Sequence, residues 1–362
     1  MSKFLSQRLS SLEEYVPGEQ PRDKKYIKLN TNESPFPPSK KAIKAVNKTE
    51  LSDLRLYSDP ECKLLKEEIA KYYGVKSENV FVSNGSDEAL NFFFMAFCDN
   101  ENKVCFPDIS YGFYKVFADL YSLKYEEIPL KDDFTIDIND YIAKGSNIVI
   151  ANPNAPTGIA LSIEDIEKIV STNPDNVVVI DEAYVDFGGE SAVELVGKYN
   201  NLIVVQTFSK SRSLAGARLG FAIADSEIIK DLEKIKYSTN PYNINRLTLI
   251  LGREAIADKK YFNKNIALIK EAREYTENEL ARLGFTVLKS KANFVFAKSD
   301  RVSGEKIYTA LKERGILVRH FTKEKIKDFN RITIGTLKEM QSLISAIEDI
   351  FKSEAKNEKS RN

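Results

Sequence analysis

Leu202-Ile203-Val204-Val205 leads into Thr207-Phe208-Ser209-Lys210-Ser211-Arg212-Ser213-Leu214-Ala215-Gly216-Ala217-Arg218, and upstream Val177-Val178-Val179-Ile180 ends in Asp181-Glu182-Ala183-Tyr184. Both runs are apolar at successive rather than alternate positions, the pattern of strands buried on both faces of a mostly parallel sheet. Val80-Phe81-Val82, Val104-Cys105-Phe106 and Ile148-Val149-Ile150 read the same way, with helical patterns between several of them. The spacing predicts an α/β core from about residue 50 to 250. Such sheets bind ligands at the carboxyl ends of their strands, and that is where Asp181 and Lys210 fall.

Downstream the pattern changes. A long helical segment from Phe262 to Leu283 is stopped by Gly284 and followed by short runs at Phe285-Thr286-Val287, Phe294-Val295-Phe296, Ile316-Leu317-Val318 and Arg331-Ile332-Thr333-Ile334. Ser162-Ile163-Glu164-Asp165 and Thr336-Leu337-Lys338-Glu339 both resemble capping boxes at helix starts. Elements of these lengths imply a smaller α+β domain. The expected division is an arm with part of the small domain at 1–45, a large cofactor-binding domain at 46–250 and a small domain at 251–362.

Composition narrows the function. The 362 residues are 43% hydrophobic and 29% charged, with Lys+Arg and Asp+Glu both at 53, so no global basic field favours nucleic acid or an anionic membrane. An anionic ligand must be met by local charges. Cys62, Cys98 and Cys105 have no metal-type spacing, and an odd count with no apolar leader run in residues 1–20 suits a reducing, cytoplasmic setting. No stretch approaches the ~18–20 apolar residues of a membrane span.

A lysine, an arginine eight residues later and an upstream strand-end aspartate supply the three charges that pyridoxal 5′-phosphate needs. Lys210 can condense with its aldehyde, Asp181 can keep its ring nitrogen protonated and Arg218 can pair with its phosphate. Val82-Ser83-Asn84-Gly85-Ser86-Asp87-Glu88 gives way to the helical run Ala89–Phe97, so backbone N–H groups and the Ser86 hydroxyl face a ligand there, and Gly85 permits close approach. Asp87 belongs to this cofactor turn, though beside a phosphate it must point away and cap a neighbouring amide. Thr207 and Ser209 share parity and can both face a phosphate. Tyr184 is placed to reach the ring hydroxyl, and Tyr111 to stack on the ring. Arg319 and Arg331, at the edges of short strands, would make a site for a carboxylate or phosphate. His320 is the only histidine, which argues against histidine acid/base chemistry at the centre of the mechanism.

Together these motifs resemble fold-type I aminotransferases, most closely the histidinol-phosphate aminotransferase family. The likeness runs through Tyr15-Val16-Pro17-Gly18, Leu29 to Pro35, Leu56 to Pro60, Asn84 to Glu88, Asn152 to Gly158, Asp181 to Tyr184, Phe208 to Lys210, Leu214 to Gly220, Ala292-Asn293-Phe294, Gly315 to Arg319 and Arg331 to Gly335. It implies a large domain with a mostly parallel sheet flanked by helices, a smaller α+β domain, and a homodimer with a shared active site in which Tyr57 reaches the partner's cofactor phosphate. It further implies Tyr15, Asn32, Arg319 and Arg331 around the substrate, and transamination between L-histidinol phosphate and 2-oxoglutarate in histidine biosynthesis. An aromatic amino acid aminotransferase and a threonine-phosphate decarboxylase share the cofactor residues and stay open as alternatives. Two departures stand out. Ala155 occupies the place of the asparagine usual before Pro-Thr-Gly, leaving the ring hydroxyl to Tyr184 alone or to a shifted Asn154. Leu56-Tyr57-Ser58-Asp59 replaces Arg-Tyr-Pro-Asp, with the loss of one charge.

Overall fold

The computed structural model describes residues 4–359. Strand β1 (Ile27–Lys28) lies in the N-terminal arm, and a seven-stranded sheet follows from β2 (Val80–Ser83), β3 (Val104–Pro107), β4 (Tyr125–Ile128), β5 (Asn147–Ala151), β6 (Val178–Asp181), β7 (Leu202–Thr207) and β8 (Gly220–Ala224). The spatial order is β2-β8-β7-β6-β5-β3-β4. Strands β4, β3, β5, β6 and β7 pair in parallel, whereas β8 is antiparallel to both neighbours.

Strand alternation explains why the runs are apolar throughout. Ile148, Ile150, Val178, Ile180, Leu202 and Val204 face one core, while Val149, Ala151, Val179, Ile203 and Val205 face a second one. Asp181 has the parity of Val179, so it emerges on the second face, which helices Ser86–Phe97 and Phe113–Leu120 cover. Glu182 goes to the other side, where Ser191, Gln206 and the Ala192 amide donate to its carboxylate. One strand end thus delivers one carboxylate to each face.

The second unit is a four-stranded antiparallel sheet made of β9 (Phe285–Val287), β10 (Phe294–Ser299), β12 (Arg319–His320) and β13 (Phe329–Thr333), in the order β12-β13-β10-β9. Between them β11 (Ile316–Leu317) pairs in parallel with β1, tying the arm to this unit. Helices Lys259–Arg282, Gly304–Glu313 and Leu337–Lys359 share the core of this sheet. Gly284, at φ +86°, ends the first of them. Thr336 and Glu339 form a reciprocal capping box, each accepting from the other's amide at 3.3 and 2.7 Å. At Ser162 the hydroxyl accepts from the Asp165 amide at 3.1 Å, giving the forward half of the motif.

Helix Arg246–Ala257 runs across residue 250, and its buried Ala255 and Ile256 belong to the same core as Leu65 and Ile69 of the large unit. Asp258 ends this helix, and its side chain caps the next at Tyr261. We therefore place the division between the two units at Asp258. Among the described residues no helix is long and apolar enough to cross a membrane.

Candidate active site

A cavity of about 830 Å³ opens at the carboxyl ends of β5, β6 and β7, walled by the large unit, the small unit and the arm. Of the residues given a catalytic, cofactor or substrate role from the sequence, all but Gly85, Tyr57 and the alternative Asn154 line it.

Asp181 and Lys210 set its electrostatics. Tyr114, fully buried, donates its hydroxyl to Asp181 Oδ2 at 2.8 Å, and the Ala183 amide donates to Oδ1 at 3.2 Å. Burial pushes the Asp181 carboxyl up to about 6, with these two hydrogen bonds acting in the opposite direction. A carboxylate held in such a place calls for a cationic partner. Lys210 follows β7 in a bend, and its Nζ donates to the Thr31 carbonyl at 3.3 Å, with no ion-pair partner among the described residues. Burial, and next the nearby Arg331 guanidinium, hold its ammonium down at about 8.

The helix Ser86–Phe97 starts beside them. Gly85 is its N-cap at φ +77°, and Gly220, paired to both Ser83 and Thr207, lies against it. A Cβ at Gly220 would come within 2.4 Å of the Ser86 nitrogen, so only glycine leaves the cradle open. Thr207 Oγ1 and Ser209 Oγ hydrogen-bond to each other at 3.0 Å on its floor. Arg218, in the left-handed region at φ +53°, donates Nη2 to Asp87 Oδ2 at 2.8 Å, and Tyr111 donates its hydroxyl to Asp87 Oδ1 at 2.8 Å. Asp87 therefore does not cap an amide. That task falls to Glu88, which accepts from the Asn84 amide at 2.7 Å.

A half-buried lysine, a buried carboxylate and a helix-start cradle with an arginine form a donor set that fits pyridoxal 5′-phosphate. Lys210 suits the aldehyde, Asp181 the ring nitrogen, and Arg218 with the Ser86 turn the phosphate. The flank open to the ring hydroxyl is simpler than the sequence suggested. Asn154 accepts from Ser110 Oγ at 2.7 Å and donates to the Ile109 carbonyl and Thr157 Oγ1, so its amide is committed away from the cavity. Ala155 contributes only a methyl, and Tyr184 is left as the hydroxyl on this side.

Arg319 and Arg331 are register partners across β12 and β13. Like charges directly opposite repel, and among the described residues neither makes an ion pair. Arg319 donates to the carbonyls of Val16 and Pro17 in the arm, at 3.0 and 3.1 Å. Arg331 donates Nη2 to the Asn30 carbonyl at 3.1 Å and lies over Phe294 and Phe321, with its buried Nε unsatisfied. Two guanidinium groups in one cavity, neither in an ion pair among the described residues, are suited to an anion. Tyr15 stacks on Phe113 at 4.3 Å and edges Tyr111, closing the arm over the opening. Asn32 lines the cavity, but its amide is engaged by Tyr184 and Thr333. Tyr57 stands apart, 80% exposed and stacked on Tyr242 at 4.4 Å.

Sequence reasoning missed Tyr114, Asn293 and Thr333. Tyr114 carried a usable signal, because it stands one helical turn from Tyr111 in an aromatic-rich helix start. The other two hold Asn32 from about 260 and 300 residues away; both lie in stretches that carry the family likeness, but nothing local in those stretches points to Asn32.

The family model "Aminotransferase class I and II" matches residues 24–347. The chain is 52% identical to a histidinol-phosphate aminotransferase of Brachyspira hyodysenteriae over 97% of its own length and 100% of that protein. It is 49% identical to one from Clostridium acetobutylicum over 96% and 99%. In fold it is similar to the histidinol-phosphate aminotransferase of Sinorhizobium meliloti solved in complex with pyridoxal-5′-phosphate, with a TM-score of 0.88, 23% identity, and coverage of 98% of this chain and 99% of that one. The chain belongs to the class I and II aminotransferases and, among them, to the histidinol-phosphate aminotransferase family.

Proposed function

We propose that the protein is a pyridoxal 5′-phosphate-dependent aminotransferase of histidine biosynthesis that takes the amino group of L-histidinol phosphate and gives it to 2-oxoglutarate. The observation that carries this reading is one cavity holding Lys210, Asp181 and two arginines that lack carboxylate partners. When bound, the cofactor supplies an electron sink conjugated to the carbon that bears the substrate nitrogen. Lys210 is the covalent anchor and, once released, the base that moves the proton. An ammonium held at about 8 lets a useful fraction of the free amine exist near neutrality. Asp181 keeps the ring nitrogen charged, and Tyr114 keeps Asp181 oriented. Arg319 and Arg331 grip the anionic end of the substrate, with Tyr15 closing the cavity against water.

We further propose a cytoplasmic homodimer that shares its active sites. Exposed Leu51, Leu54, Leu56, Tyr57 and Tyr242 support a partner surface around Tyr57. On this reading Tyr57 serves the neighbouring subunit's cofactor phosphate, in keeping with its place outside this cavity.

The test is a half-reaction. The loaded protein is mixed with single donors, namely histidinol phosphate, phenylalanine, glutamate and phosphothreonine, and conversion of the cofactor to its amine form is followed by absorbance. Fast conversion by histidinol phosphate supports the reading. Preference for phenylalanine would move the enzyme to aromatic transamination, and carbon dioxide release from phosphothreonine without an acceptor would make it a decarboxylase.

A further inference from the structure

Asn32 is more tightly constrained than a substrate contact needs to be. It is 1% exposed and sits at φ +56°, in the left-handed region. Asn293 Nδ2 donates to its carbonyl at 3.0 Å, and its own amide N–H donates to Thr333 Oγ1 at 2.9 Å. The direction of the remaining bonds follows from proton bookkeeping. Thr333 Oγ1 accepts that N–H, so its single proton goes to Asn32 Oδ1 at 3.0 Å. With Oδ1 occupied by a donor, Asn32 Nδ2 faces Tyr184 and donates to its hydroxyl oxygen at 2.9 Å. Tyr184 therefore keeps its own proton to give, and no protein acceptor takes it among the described residues.

The chemistry of the cofactor indicates where that proton goes. Its ring oxygen is attached next to the carbon that carries the aldehyde, so it lies near whatever adjoins Lys210. Lys210 Nζ is 6.0 Å from the centre of the Tyr184 ring. Asn154 is committed elsewhere, and Ala155, part of the small apolar cluster that Tyr184 packs against, offers no donor.

We propose that Asn32 is a positioning residue. Oriented by Thr333, it fixes Tyr184 as the donor to the cofactor's ring oxygen, where position 155 supplies no hydrogen-bond donor. This inference rests on the cofactor reading above. It predicts that the relay, rather than Tyr184 alone, sets how readily the Lys210–cofactor bond ionises, because a donor at the ring oxygen favours its anionic form and disfavours a proton on the neighbouring nitrogen. The charges acting on Tyr184 and Lys210 come from Arg331, Asp181, Asp87, Glu33 and Arg218, and none of them is altered when Asn32 or Thr333 is changed to an uncharged residue.

The experiment is a visible-absorbance pH titration of the cofactor-loaded protein in wild type, Asn32→Gly, Thr333→Val and Asn32→Gly with Ala155→Asn. Glycine accepts the left-handed backbone and removes the side-chain amide together with its methylene. Loss of one hydrogen bond should raise the titration midpoint by about half to one unit in both single variants. Ala155→Asn, which brings an amide donor in beside Tyr184, should return the midpoint toward wild type. A midpoint that does not move in Asn32→Gly or Thr333→Val overturns the proposal. So does lowered thermal stability of the cofactor-free variant with an unmoved midpoint, the mark of a purely structural role. Borohydride reduction and peptide mass analysis separate this from failure of the underlying reading: an adduct on Lys210 with coincident titrations removes the role of Asn32 alone, whereas no adduct in wild type removes both.

Discussion

The cavity contains two arginine sites built in opposite ways. Arg218 is half exposed, comes from a strained turn of the large unit, and is already neutralised by Asp87. Arg331 is largely buried, faces Arg319 across a strand pair and, among the described residues, pairs with no carboxylate. An exposed pair is worth about 0–1 kcal/mol, so Arg218 can exchange Asp87 for an arriving phosphate at little cost. A buried guanidinium without a counter-charge costs several kcal/mol by the usual desolvation estimates, and an anionic substrate offsets that cost only when it binds. On the proposed reading the first site is loaded once and the second discriminates at every turnover.

Lys210 belongs to neither site, and its removal gives the largest effect. In Lys210→Ala, single-turnover conversion should fall by at least about 10³-fold, within the range for loss of a positioned acid/base group, while noncovalent cofactor binding persists. Wild-type turnover in that variant would remove the whole account. Asp181 comes next. Its folded-state value of about 6 lies above its ordinary 3.8, so ionising it in the cofactor-free protein costs stability. That cost is absent below about pH 3.8, grows between the two values and is complete above about 6. Asp181→Asn should therefore stabilise the cofactor-free protein above pH 6 by up to about 3 kcal/mol and give no gain near pH 4, as followed by urea denaturation. Arg331→Gln should lower kcat/KM for an anionic donor by about 10- to 100-fold, the worth of one charge-assisted hydrogen bond, with cofactor affinity unchanged. Asp87→Asn is the smallest. It frees Arg218 and removes a negative charge beside the phosphate site, so cofactor affinity measured by fluorescence titration should stay level or tighten by at most about fivefold. Weaker binding would show that Asp87 holds the cofactor rather than holding its place.

The same contrast marks what could be read from the sequence. The strands, the lysine turn and Asp181 were legible because runs buried on both faces and residues at strand ends are local patterns. Strand β8 escaped notice, since glycine and alanine hold three of the five positions of Gly220–Ala224 and its antiparallel insertion between β2 and β7 depends on partners about 140 residues upstream and about 17 residues upstream respectively. The pairing of Ile27 with Ile316 was likewise invisible. Arg319 and Arg331 could be suspected as an anion site, but that they face each other in register is a property of the β12–β13 ladder. Asn32 shows the limit most clearly. Its neighbours in sequence place it in the arm, yet Thr333, Asn293 and Tyr184 decide what its amide does.

We propose that Arg319 and Arg331 read the substrate's anionic end while Arg218 reads only the cofactor. It is tested most directly by the ratio of kcat/KM for histidinol phosphate to that for histidinol, measured in wild type, Arg319→Gln and Arg331→Gln. Wild type should favour the phosphorylated donor by at least about 10²-fold, and the ratio should collapse in at least one arginine variant while cofactor affinity holds. A wild-type ratio near one, or a ratio that survives both substitutions, would contradict it.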